Sequence, residues 1–522
     1  MSEQASVTRA AWSISLVTAI SRVLGFLRVM VIARIFGAGM VADAFFQAFR
    51  ISNILREVLA EGSMSAAFIP VFTEYFHTKS KEEARELASS IFYILLFICI
   101  GVVTLGIIFS PAIVNAIAHG FVRYPEKFAL TVKLTRIMFP YVMFIGLAAV
   151  TMGMLNSLGS FTVPALSPVM LNLSMIGFAL YVSPHMQTPI VGLALGVVFG
   201  GLLQLLIQLP PLKKKGMGFL FMMRPRDPGV KKVGRLTIPV IGSQASTQIN
   251  MFISSLIATF LPEGSVSYLF YATTLFQFPH GIFGVSITTA VLPSMSRQAA
   301  VGDYDGLKET LSFGLRYILF IMVPSMVGLV VLSVPITSLL FQRGTFTYAA
   351  TVNTAYALQF YSLGLWAYSW VRVINAAFYS LHDTRTPVMG AFLAVAVNAT
   401  LSLILMGPLK HGGLALATAI ASMVNMSLLL FLFRRRMGRI GAKKILISAV
   451  KIVLAAAVMG VVCYLIGRGD LWALSGHTIR KGAIVGAAII SGFAVYCLIL
   501  YFLKSEELSF IINTLRRKVL HK

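Results

Sequence analysis

Residues 21–72 read SRVLGFLRVMVIARIFGAGMVADAFFQAFRISNILREVLAEGSMSAAFIPVF, from Ser21 to Phe72. The stretch is mostly apolar, yet it carries Arg22, Arg28, Arg34, Asp43, Arg50, Arg56, Glu57 and Glu61. Elsewhere the chain keeps charge out of its apolar runs: from Ile137 to Leu212 there is no Asp, Glu, Lys or Arg. A charged side chain at the centre of a bilayer costs roughly 2.5–3.5 kcal/mol on insertion scales. Several arginines in the first two apolar segments therefore imply a hydrated cavity or anionic partners, and the contrast points to a cationic chamber for an anionic substrate.

Working outward, the chain has 522 residues, 57% hydrophobic and only 12% charged. Soluble domains carry about 25% charged residues, so the composition describes a polytopic membrane protein. A spanning helix needs about 20 apolar residues, and fourteen runs qualify, from 10–36 at the start to 482–503 at the end. The expected fold is all-α. Proline and glycine within several runs predict kinked or broken helices, tolerated where neighbours or water satisfy the backbone. The first run is a retained helix rather than a signal peptide, since no small-residue cleavage site precedes Arg22.

Formal net charge is +25. Most of the excess falls in connections that all face one side: Lys79, Lys81 and Arg85; the run from Lys213 through Arg235; and Arg434 through Lys444. The opposite connections, such as Pro262-Glu263-Gly264 and Pro408-Leu409-Lys410, are short and poor in cations. Basic loops stay in the cytoplasm, which places both termini there. The tail, 504–522, pairs Leu508, Phe510, Ile511, Ile512 and Leu515 with Arg516, Arg517 and Lys518, the pattern of an amphipathic helix on an anionic leaflet; a solvated basic tail is the alternative. Nucleic acid is excluded as a partner because no soluble basic domain is present. Cys99, Cys463 and Cys497 show no metal or redox spacing.

The chain repeats itself. Ala66–Pro70 resembles Thr289–Pro293, Ser157–Pro164 resembles Ser380–Pro387, and Gly192–Leu195 matches Gly413–Leu416. Pro293 follows Pro70 by 223 residues, Pro387 follows Pro164 by 223, and Gly413 follows Gly192 by 221. Six spans fit between equivalents, so the halves keep one orientation, and such parallel repeats place a transport site between them. The expected organisation is an N-lobe at 1–212, a basic cytoplasmic linker at 213–235, a C-lobe at 236–433, two further helices at 434–503 and the tail at 504–522.

Ser21 and Arg28 lie seven residues apart and share one face of the first helix. Gly25, between Arg22 and Arg28, is a place for the helix to bend. Asn53, Glu57 and Glu61 form an i, i+4, i+8 stripe with Arg56 beside it. Arginine suits diphosphate because its planar fork makes bidentate, charge-assisted hydrogen bonds; the glutamates would hold the arginines between substrate visits or close a gate. The competing reading is that these charges pair with one another and only stitch two helices together. Arg34 and Asp43 fall near the expected outer surface, where an interfacial role competes with a cavity role. Arg372 is the candidate from the second half. Asp383 and Arg385 sit in a turn whose chemistry explains them. Ser243, Gln244, Ser246, Gln248 and Asn250 form a polar stripe that either lubricates packing or lines the chamber.

The histidines form no metal-ligand cluster and no nucleotide-binding loop appears, so neither a metal nor ATP hydrolysis is expected. A membrane-embedded enzyme acting on prenyl phosphates would need an acid/base or metal constellation, which is lacking. A cation-coupled exporter of amphipathic drugs would call for carboxylates in place of the arginines.

The segments SRVLGFLR, ARIFGAGMVADAFFQAFR, LREVLAEGSMSAAFIPVF, LNSLGSFTVPALSP and FYSLHDTRTP resemble the bacterial MurJ/MviN lipid II flippases of the wider MOP exporter superfamily. The resemblance covers the first twelve helices and extends weakly over the last two. It implies two six-helix lobes about a cationic cavity, a transporter rather than an enzyme, and movement of undecaprenyl-diphosphate-linked GlcNAc-MurNAc-pentapeptide from the inner to the outer leaflet of the bacterial cytoplasmic membrane by alternating access. It places Ser21, Arg22, Arg28 and Arg56 at substrate contact and Asp43, Asn53 and Glu61 at gating or cavity structure, and it assigns the polyprenyl tail to helices 13 and 14. Export of another polyprenyl-linked oligosaccharide is the alternative within the superfamily. Implied partners are lipid II, membrane lipids and the cell-wall synthesis machinery. No cofactor is implied; coupling would come from membrane potential, worth about 2.3 kcal/mol per charge per 100 mV, or from an ion, with sodium left open because helices 7 and 11 lack a carboxylate set. Three positions depart from the family pattern: Val29 where relatives can carry an acid, Thr274 where several have a cavity arginine, and Gln277 where some have Glu.

Overall fold

The computed structural model describes the secondary structure of residues 3–57 and 65–520, and side chains at 16–57, 67–240 and 248–513. All regular structure among the described residues is helical. The chain forms two compact units, residues 1–266 and 267–522.

The first unit contains α1 (Glu3–Phe36), α2 (Met40–Arg56), α3 (Ser65–Thr78), α4 (Lys81–Ile108), α5 (Ser110–Ile117), α6 (Pro125–Met138), α7 (Pro140–Ser157), α8 (Thr162–Gly177), α9 (Pro189–Leu206), α10 (Leu209–Lys214) and α11 (Pro228–Thr259). Local sequence sets several of these ends. Ser80 and Glu83 close a capping box at the start of α4: Ser80 Oγ accepts from the Glu83 N–H at 3.1 Å, and Glu83 Oε2 accepts from the Ser80 N–H at 3.1 Å. Proline opens α6, α7, α9 and α11, where its missing N–H has no helical partner to lose. Glycines let helices close in. A Cβ at Gly200 would come 2.7 Å from a Leu171 methyl, and one at Gly201 2.7 Å from the Tyr141 ring, so α9 packs directly on α8 and α7.

The second unit begins within α12 (Ser265–Pro279), which a π-helical turn (His280–Gly284) joins to α13 (Val285–Ala300). It continues with α14 (Tyr304–Val331), α15 (Ser333–Phe341), α16 (Tyr348–Leu363), α17 (Leu365–Ser380), α18 (Arg385–Met437), α19 (Ala442–Gly467), α20 (Thr478–Phe502) and α21 (Glu506–Leu520). Lys410 leaves helical geometry inside α18, at φ 50°. The two expected spans 386–407 and 411–433 are thus the arms of a hairpin. Asp383 before one arm binds Arg436 at the end of the other at 2.8 Å, and Asn398 on one faces Thr418 on the other. Asp383 also caps its own turn. The Thr386 N–H holds its carboxyl below the usual range against the opposing effect of burial, with help from the Thr386 hydroxyl and Arg436. The turn reading of Asp383 holds.

Among the described residues, ten helical stretches are long and apolar enough to cross a membrane, and the expectation of an all-α polytopic protein is met. The sequence leads to fourteen spans, four more than this. The Arg385–Met437 stretch carries two expected spans, and the expected spans at 41–75, 236–261 and 348–380 are not among the ten.

The boundary of the compact units differs from the repeat reading. Repeat symmetry begins the second half at residue 236, but the units part between Val266 and Ser267. The reason is side-chain pairing: from α11, Gln248 donates to Glu57 and Ser255 to Gln47, while Thr259 accepts from the Gly120 N–H. All three partners lie in the first unit.

The tail, expected on a lipid leaflet or in solvent, begins as a docked helix. Glu507 is 2% exposed. Its carboxylate accepts from Ser448 and Ser505 at 2.7 Å each and from Arg316 at 3.1 Å, and Phe510 packs edge-on to Phe313 and Tyr317. Arg516, Arg517 and Lys518 lie outside the described side chains. Burial pushes the Glu507 carboxyl up, but the hydroxyls of Ser505 and Ser448 and the Arg316 charge outweigh it and leave it below its ordinary 4.5. A carboxyl lowered by folding contributes stability above its free value and loses it as pH falls through the lower, folded one. Protease cleavage of the tail should therefore stay constant from neutral pH to about 4.5 and rise only below. Glu507→Gln should raise it at neutral pH.

Candidate functional site

The charged stretch that decides the fold lies on α1 and α2. Arg28 faces α8: its Nη1 lies 3.7 Å from Met175 Sδ, and its Nε is shut off from solvent with no hydrogen-bond partner. Among the described residues no carboxylate pairs with it. The charge of Arg56 reaches it, so two cations share one neighbourhood. α1 is continuous through Gly25. The missing side chain there admits Asn172, whose Nδ2 would stand 3.6 Å from a Cβ and donates to the Ser21 carbonyl at 3.1 Å. Ser21 and Arg28 thus share the face turned to α8, while Arg22 and Arg34 are exposed and Arg50 is half-buried.

At the end of α2 the predicted stripe becomes a network. Asn53 Nδ2 donates to Glu57 Oε1 at 2.9 Å, and Asn53 Oδ1 accepts from Arg56 Nε at 2.9 Å. Arg56 Nη2 approaches Glu57 Oε1 at 3.5 Å, and Gln248 Nε2 of α11 donates to Glu57 Oε2 at 2.6 Å. The amide of Asn53 sits between the two charged groups and binds both. Arg56 and Glu57 are only 19% and 28% exposed. Their pairing runs along one helix, so it orients Arg56 rather than tying α1 to α2. Gln248 belongs to this network; Glu61 and the side chains of Ser243, Gln244 and Ser246 lie outside the described residues. Asn250 is half-buried on α11.

Asp43 lies in the interior of the first unit rather than on its surface. It is fully buried, and Lys127 Nζ of α6 lies 2.7 Å from its Oδ2, over the Phe121 ring. The Gly264 N–H donates to the same oxygen at 2.8 Å, and Glu263 Oε1 accepts from the Met40 N–H at 2.7 Å. Asp43 therefore joins the first turn of α2 to α6 and to the loop after α11. Sequence reasoning missed Lys127 because α6 is only weakly apolar and its lysines look interfacial. It missed Asn172 as one neutral amide in a charge-free span. Arg372 is an exposed residue of α17 in the second unit. Among the described residues no group of histidine, cysteine or acidic side chains is arranged to hold a metal ion.

A half-buried guanidinium with a solvent-inaccessible Nε and no counter-ion among the described residues, beside a second one steered by an amide–carboxylate network, can receive an anion with several acceptor oxygens. Residues 32–480 match the family described as MurJ, lipid II flippase MurJ. A probable lipid II flippase MurJ of Vibrio cholerae is 40% identical over 430 residues, spanning 80% of this chain and 81% of the relative. The lipid II flippase MurJ of Burkholderia cenocepacia is 36% identical over 434 residues, spanning 82% and 84%. Among solved structures, a lipid II flippase MurJ in an inward closed conformation superposes with a TM-score of 0.78 at 29% identity, over 94% of this chain and 98% of that one. An inward-facing multidrug resistance MATE transporter of the MOP superfamily follows at 0.67 and 16% identity, over 83% and 98%; at that identity it speaks to the fold alone.

Proposed function

This chain belongs to the lipid II flippase MurJ family, and from that premise we propose that Arg28 and Arg56 receive the diphosphate of lipid II, with Ser21 and Arg22 beside them on α1. The protein is a multi-pass membrane flippase serving peptidoglycan synthesis, and lipid II is its substrate. The observation that carries the site is the Arg28 guanidinium, enclosed against α8 with an unmet donor. A cation is kept at such a place only if something repays its desolvation, and a diphosphate does so with charge and acceptors together.

In this reading Asn53, Glu57 and Gln248 are positioning residues. They hold the Arg56 fork while the site waits, and Glu57 releases it as the more highly charged diphosphate arrives. Gln248→Leu should lower transport several-fold, and Asn53→Ala should lower it more because both charged partners lose their bridge. The measurement is external accessibility of lipid II in cells that depend on the variant, with an unchanged rate for either sparing the network of a role.

We assign the polyprenyl chain to 434–503. α19 and α20 present Leu446, Val450, Leu454, Val461, Ile490 and Phe493 outward, each more than half exposed, a surface suited to lipid. The basic connections place both termini in the cytoplasm. Access alternates between the two leaflets, driven by membrane potential acting on the site's charge, and the cell-wall machinery takes the product. The sequence holds no acid/base or metal constellation of the kind that prenyl-phosphate chemistry requires, and we read the protein as a transporter rather than an enzyme. Drug export is the reading the cationic site disfavours, since cationic drugs need carboxylates.

A further inference from the structure

The second unit carries a polar constellation that the α1–α2 site does not use. Pro279 ends α12 without an N–H to donate, and the chain passes through the π-helical turn His280–Gly284 before α13 resumes. Such turns recur at functional sites. His280 is 7% exposed, and its Nδ1 lies 3.0 Å from Ser369 Oγ of α17. The Ser369 hydroxyl gives its proton to the Leu365 carbonyl at 2.9 Å. Ser369 must therefore accept from His280, which fixes the proton on Nδ1 and leaves Nε2 as the acceptor of the neutral ring. Gly284 makes the room: a Cβ there would stand 3.0 Å from Nδ1 and 3.3 Å from Ser369 Oγ.

The helix α17, which supplies Ser369, carries three groups on one face at i, i+4 and i+7: Tyr368, Arg372 and Asn375. Tyr368 meets the imidazole edge-on at 4.8 Å and is 44% exposed. Arg372 is exposed, makes no ion pair among the described residues, and its charge reaches both His280 and Tyr368. Asn375 keeps a buried Oδ1 with no hydrogen-bond partner. Thr274 adds no donor, because its hydroxyl is spent on the Phe270 carbonyl at 2.9 Å. The set holds an exposed aromatic ring, two acceptors awaiting donors, and one guanidinium. Diphosphate has no hydrogens to offer such acceptors. A sugar bearing hydroxyl and amide N–H groups has them, together with an apolar face for the ring.

We propose that His280, Tyr368, Arg372 and Asn375 form a contact site for the amide-bearing sugar portion of the lipid II headgroup. This rests on the flippase reading above. His280 Nε2 and Asn375 Oδ1 accept from sugar donors, Tyr368 covers a ring face, and Arg372 donates to carbonyl or carboxylate oxygens.

The test is binding to the purified full-length protein in lipid nanodiscs, titrated with lipid II and, separately, with undecaprenyl diphosphate, which lacks the sugars. Wild type should hold lipid II about tenfold more tightly, the worth of one or two well-made hydrogen bonds. His280→Phe and Arg372→Ala should each erase most of that difference and leave the affinity for undecaprenyl diphosphate unchanged. Arg372 and Tyr368 are exposed, so Arg372→Ala and Tyr368→Ala keep the test alive should His280→Phe not fold. Variants that lose neither lipid, or both equally, overturn the proposal. Arg28→Ala serves as the separate arm: it should weaken both lipids, and its sparing them would contradict the diphosphate site while leaving the sugar comparison readable.

Discussion

Arg28→Ala should abolish growth of cells that depend on this protein for lipid II export while leaving the protein at least as stable as wild type. The two halves of that result come from one observation. Arg28 has an unmet, solvent-inaccessible Nε and no carboxylate partner among the described residues. Its burial is therefore a cost to the empty protein, and removing it relieves that cost together with repulsion from Arg56. Binding loses a charge-assisted fork to phosphate, about 2–5 kcal/mol, or a factor of roughly 30 to several thousand. Arg28→Lys keeps the charge without the fork and should fall between. Complementation on depletion of the resident flippase gives the first half, and thermal unfolding in detergent gives the second. Wild-type growth of the alanine variant, or its unfolding, would contradict the account.

The second large effect has the opposite signature. Lys127→Met should destabilise the protein by about 3–5 kcal/mol, because it removes a buried ammonium from 2.7 Å of the buried Asp43 carboxylate. Asp43→Asn in the same chain should recover much of the loss, since the buried charge is then gone and an amide can still accept from the Gly264 N–H. Paired melts of the two single variants and the double variant measure the coupling. Additive losses would mean that the 2.7 Å pair is not what holds α6 to the first turn of α2.

These two residues mark how far the sequence could be read. Arg28 was legible because charge inside an apolar run is expensive and must be repaid. The Asn53–Glu57 bridge was legible because side chains four apart meet on a helix. Lys127 was not, since nothing in a helix of mixed polarity reports which buried acid it faces. Likewise, the repeat gives the order of spans and the α18 hairpin, but repeat symmetry assigns α11 to the second half, whereas Gln248, Ser255 and Thr259 bind partners in the first unit. Periodicity describes a helix face; the neighbour that covers it is set by tertiary packing. His280 had no signal of its own, because a single histidine acquires meaning only when Ser369 fixes its tautomer.

The most direct measurement is a structure of the protein with lipid II bound. It should show diphosphate oxygens within hydrogen-bonding distance of both Arg28 and Arg56, with Glu57 released from Arg56. A diphosphate bound elsewhere, with Arg28 still turned to Met175 and Arg56 still bridged through Asn53 to Glu57, would contradict the assignment.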